Sequence, residues 1–166
     1  MKLSPLTQAI FVGGAAAGVL DAIDALVAFR LVLGFDPIPI YQFVASGVLG
    51  AEAFSGGLPV ALFGLAIHFL IAFSAAAVYA LASTRVPVLR ARVWAGGASF
   101  GVAVWAVMNL VVIPLSRIPA APFSWPLFLN GVVGHALFVG MPIALATRLF
   151  LGAPKRSTAL HAQAAE

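Results

Sequence analysis

The chain contains no cysteine, so it can hold no disulfide framework, no thiolate metal site and no cysteine nucleophile, and it carries no sign of a redox compartment. Charge is nearly as scarce: Asp, Glu, Lys and Arg make up 8% of the 166 residues, about a third of the share in ordinary soluble domains. No strand precedes any glycine cluster. Gly13, Gly14, Gly18, Gly96, Gly97 and Gly101 therefore read as helix-packing notches and not as a phosphate-binding loop. No activated nucleophile or interfacial carboxylate pair is evident, so an enzyme acting on lipid has no support and the chain points to a non-enzymatic protein.

What fills the space is apolar. Hydrophobic residues make up 63% and the mean hydropathy is +1.10, which identifies an integral membrane protein. At about 20 residues per crossing, the length accommodates one helical bundle and no separate soluble domain. A net charge of +4 would suggest nucleic acid in a soluble protein. Here the basic residues sit at segment ends and face lipid headgroups, so the bilayer is the expected partner and nucleic acid is not.

Four apolar segments are predicted to span, over 7–33, 58–82, 93–115 and 127–151, in one transmembrane domain covering 1–151. The first resembles a secretory signal at its start, but Asp21 and Asp24 continue into an apolar run with no small-residue break, so it is read as a retained span. Between the first two spans, Pro37, Pro39 and Tyr41 suit an interfacial turn and a short helix over 39–55. The tail, 152–166, is polar and small and is expected to be mobile and cytoplasmic.

Lys2, Arg85, Arg90, Arg92, Arg148, Lys155 and Arg156 collect on one side, against Arg30 and Arg117 on the other. That bias predicts that both termini are cytoplasmic. An internal echo accompanies it. "GGAAAGV" from Gly13 recurs as "GGASFGV" from Gly96, and "GLAIH" ending at His68 recurs as "GVVGH" ending at His135. The first pair is offset by 83 residues and the second by 67. The inference is a duplicated helical hairpin with an approximate two-fold axis along the membrane normal, the interfacial helix accounting for the difference.

His68 and His135 then occupy equivalent places, roughly 14 and 12 Å from the outer ends of their spans. Asp21 lies at roughly 14 Å, and Asp24 and Asn109 at roughly 9 Å. These five residues form the candidate site. Ionisable groups in hydrocarbon are costly and pair inside the bundle. At least one of the two carboxylates is expected to be held by a proton or by a histidine. Three readings follow: an interhelical hydrogen-bond network, a pathway for protons or a small solute, and a haem or transition-metal site with His68 and His135 as ligands and Asp21 orienting an imidazole. The small residues beside Asp21 and Asp24 also predict that helix one packs closely, within the chain or in a homo-oligomer or larger membrane complex. Elsewhere, Trp94, Trp125 and Tyr79 are expected as interface anchors and Trp105 as packing; Pro114 should end a helix and Pro142 kink one. Asp36 and Glu52 are expected to be solvated and His161 free.

One family pattern is visible. "HFLIAFSAAAVYALASTRVP" from His68, Gly97 and Gly101, "PLSRIP" from Pro114, and the Gly134–His135 pair resemble the YagU-like inner-membrane proteins over helices two to four. The loop from Pro87 to Gly97 is longer here, and Asp21 and Asp24 do not map onto the pattern. The resemblance implies a bacterial inner-membrane location and singles out His68, Tyr79 and His135. It implies no reaction.

Overall fold

The computed structural model describes residues 3–154, so Lys2, Lys155, Arg156 and His161 lie outside it. Every regular element among the described residues is helical. Helix α1 (Pro5–Leu33) starts where the Ser4 side chain accepts the Thr7 N–H at 3.1 Å, with Pro5 supplying the preset φ of a first turn. It stops at Gly34, whose φ of 72° lets its N–H turn back to Arg30 O. Helix α2 (Pro37–Leu49) follows and runs into a 3₁₀ turn over Gly50–Ser55. Then come α3 (Gly57–Arg85), a single turn at Val88–Ala91, α4 (Val93–Leu115) and α5 (Trp125–Leu151). Helices α1, α3, α4 and α5 are long and apolar enough to cross a membrane, so this is a multi-pass helical membrane protein. Their limits fall within three residues of those read from the sequence. We call the end where α1 begins proximal and the other distal.

Two of the spanning helices contain a wide turn, Met108–Val112 in α4 and His135–Gly140 in α5. Each ends two residues before a proline, Pro114 or Pro142. A proline lacks the N–H for the helical ladder and its ring crowds the carbonyl four residues back, Leu110 or Phe138. Opening the turn to a π geometry relieves that crowding; α5 then continues to Leu151, whereas α4 stops at Leu115, directly after Pro114.

The helices meet through glycine. A Cβ on Gly101 would overlap His135 O, and one on Gly140 would overlap Gly97 O, so α4 and α5 touch backbone to backbone. Lipid is as apolar as leucine, so such close packing, rather than water exclusion, drives helices together. The contacts also repeat. Gly14 receives Phe73 and Gly18 receives Phe69; adding the offsets of 83 and 67 gives Gly97 on Gly140 and Gly101 on Ala136, both observed. Gly13 against Ala146 maps in the same way onto Gly96 against Tyr79. The duplicated hairpin is thus present as equivalent contacts.

The short elements break the symmetry. α2 packs on α3, where Gly64 leaves room for Tyr41 O, and buries Ile40, Gln42, Ala45 and Ser46. Its last turn is held by Arg117, whose N–H donates to Gly47 O at 3.1 Å. At the proximal end Arg90 donates to Ser83 O and Leu151 O, both at 3.1 Å, which supplies partners to the final carbonyls of α3 and α5. Arg148 in turn donates to Arg90 O.

Gly101→Val should cost about 1–3 kcal/mol or more, because the obstacle is the backbone of His135 and not a movable side chain. Denaturant unfolding followed by circular dichroism in detergent would show this as a lowered midpoint, while Leu110→Val on the exposed face of α4 leaves the midpoint nearly unchanged.

Candidate functional site

Asp21 on α1, His68 on α3 and His135 on α5 converge on one cavity of about 110 Å³. The histidines lie eleven and ten residues into their helices, so both sit about 15 Å from the distal ends, near the middle of a bilayer core roughly 30 Å thick. The carboxylate lies between them: Oδ2 is 3.9 Å from His68 Nδ1 and Oδ1 is 3.8 Å from His135 Nδ1. Both distances exceed a hydrogen bond.

His68 has a defined tautomer. Its Nε2 lies 2.9 Å from Gly18 O, and a carbonyl only accepts, so Nε2 carries the hydrogen. Nδ1 is then the nitrogen left with a lone pair, and it faces Asp21. The remaining lining is largely apolar and includes Ala17, Val44, Val104 and Met108. Tyr41 of α2 meets the His68 ring edge-on at 6.5 Å. Burial, helped by the negative charge of Asp21, pushes its phenol above the ordinary value of 10.0. Tyr41 therefore keeps its proton at neutral pH.

Asp24 belongs to a different contact. Its Oδ2 accepts from Asn130 Nδ2 at 2.8 Å, in the notch left by the missing side chain of Gly134. The partner of Asp24 is thus an amide on α5 and not a histidine. Asn109 is not part of the cluster. It is exposed, and its amide donates to Trp105 O in its own helix at 2.9 Å. Depth along a helix says nothing of azimuth, and Met108, one residue earlier, is the one that turns inward. Asn130 carries the same signal as Asn109, an amide in an apolar run, and only packing tells them apart.

Other expectations change as well. Tyr79 is no interface anchor: it is 1% exposed and donates to Leu89 O at 3.0 Å. Trp94 and Trp125 are each 66% exposed, as anchors should be, and Trp105 packs on Phe128 at 5.0 Å. Asp36 pairs with Arg30 at 2.9 Å in the open, and Glu52 is exposed. The small-residue face of helix one packs inside the chain, against Phe69, Phe73, Ile143 and Ala146.

A haem held by His68 and His135 does not fit this arrangement, because the cavity is several times smaller than a porphyrin. Among the described residues, no three His, Cys, Asp or Glu side chains are grouped to hold a metal ion.

No family model, curated protein or solved structure matches the chain. The YagU-like resemblance therefore rests on its motifs alone.

If Asp24 and Asn130 form one interhelical contact, Asn130→Ala should destabilise by about 0.6 kcal/mol, and by up to about 1.7. A double-mutant cycle with Asp24→Ala should recover that coupling. The same cycle with Asn109→Ala should give none.

Proposed function

We propose that this is a bacterial inner-membrane protein, with both termini cytoplasmic, in which Asp21, His68 and His135 hold and pass a proton at mid-depth. The observation that carries the reading is the single carboxylate set between two imidazoles, with His68 Nδ1 left free by the bond from Nε2 to Gly18 O. A proton on Nδ1 of either histidine faces Asp21, so the carboxylate stabilises it on both sides and links the two halves of the duplicated fold. α4 contributes no titratable group to the cavity, only Val104 and Met108. α2 contributes Tyr41, and α1 adds Asp24 beside Asp21.

The orientation is supported by charge. Arg85, Arg90, Arg92 and Arg148 lie at the proximal end, whereas Arg30 and Arg117 share the distal end with Asp36 and Glu52. Positive charge is retained on the cytoplasmic side. The YagU-like resemblance points to the same membrane.

The infrared response to a pH step in the wild type, less that of Asp21→Asn, should contain carboxylate and imidazole bands changing together, because the exposed Asp36 and Glu52 respond alike in both proteins. An unaltered response in that variant overturns the proton reading. Because the chain lacks cysteine, single substitutions report topology cleanly. In intact cells Glu52→Cys should react with an impermeant maleimide, and Thr84→Cys should react only after the membrane is opened.

A further inference from the structure

The cavity at Asp21 is walled on three sides. α1 and α5 form its back, where Ala17 and Val139 are buried. At the distal end α2 lies over it, with Val44 in the lining and Arg117 fastening the last turn. At the proximal end Tyr79 meets Phe100, ring centroids 4.9 Å apart, and the Tyr79 hydroxyl reaches Leu89. What remains is the side between α3 and α4, where Ile71 and Ala75 face Val104 and Met108 and all four are half-buried. The Asp21 side chain is 20% exposed although it lies in the middle of the bundle.

The broken repeat explains the opening. The counterparts of Tyr79 and Phe100 under the two offsets are Ala146 and Ala17. Where the residues are alanine, α1 closes onto α5. Where they are two rings meeting edge to face, α4 is held away from α3 beyond that contact. The two-fold partner of Asp21 is Val104, so the carboxylate has no twin on the α4 wall.

The geometry points to a binding site, entered sideways from the bilayer, for a neutral membrane-dissolved molecule with one hydroxyl head on an apolar body, the chemistry of a phenol or quinol. The inference rests on the same reading of Asp21 as the working group. When no proton is held on Nδ1, the head must donate, because Asp21 then offers two carboxylate oxygens and His68 Nδ1 a lone pair. It must be neutral, because the mouth opens at mid-depth and a charged head would have to cross hydrocarbon to reach it. It must be small, because a closed cavity of roughly 150 Å³ takes one benzene ring and this one is about 110 Å³, extended only by its open side. The body then lies along Ile71, Ala75, Val104 and Met108. The hydroxyl hydrogen points at the group that passes the proton, which ties ligand to proton site.

Equilibrium binding of tritiated 4-octylphenol to the full chain in nanodiscs, measured over empty nanodiscs, tests this against its methyl ether, which keeps the body and loses the donor. The phenol is expected to bind saturably and the ether at least ten-fold more weakly. Asp21→Leu, and Ala75→Leu at the mouth, should each weaken phenol binding at least ten-fold, while Leu110→Phe on the exposed side of α4 leaves it unchanged. Equal binding of phenol and ether by the wild type, which needs no variant to fold, overturns the proposal; so does undiminished binding by Asp21→Leu. The infrared response is read without any phenol. If it persists while phenol and ether bind alike, the ligand falls and the proton site stands; if it is absent while binding discriminates, the reverse holds.

Discussion

The backbone contact between α4 and α5 at Gly97, Gly101 and Gly140 is the constraint on which the rest of the molecule hangs. In lipid no water is released when helices meet, so affinity between them grows only as their backbones come close. The Gly101–His135 contact fixes the rotation of α5 at the start of its wide turn. That rotation turns His135 toward the cavity. Pro142 is part of the same arrangement, since the π turn it demands places Gly140 against Gly97. One step away in the repeat, Gly14 and Gly18 serve the same purpose with a different filling, taking the rings of Phe73 and Phe69.

Duplication supplies two similar hairpins, and divergence at a few positions gives the site its direction. Ala17 and Ala146 on one side correspond to Phe100 and Tyr79 on the other. Asp21 corresponds to Val104. A symmetrical bundle would close evenly around its axis; this one closes along α1 and α5 and stays open between α3 and α4. The extra helix α2, inserted in one hairpin only, covers the distal end of that opening. Its buried Gln42 donates to Gly57 O at 3.1 Å, which anchors it to the first turn of α3. Tyr79 sits at the proximal edge of the opening, its ring against Phe100 and its hydroxyl donating to Leu89 O.

Composition and spacing determined a good deal. Four spanning helices, the short helix between the first two, the repeat with its two offsets, and the depth of Asp21, His68 and His135 all follow from apolar run length, rise per residue and local identity, which are properties of the chain read one helix at a time. The tertiary structure decided what depends on helices facing one another. Asn109 and Asn130 are equally plausible as sequence, yet only Asn130 faces Asp24, because azimuth depends on how each helix is rotated against its neighbours. Tyr79 looks like an anchor one turn from a helix end until the Val88–Ala91 turn folds over it. The cleft between α3 and α4 has no signature in either helix alone: it arises where two bulky side chains, distant in sequence, meet and hold apart backbones that alanine elsewhere allows to touch.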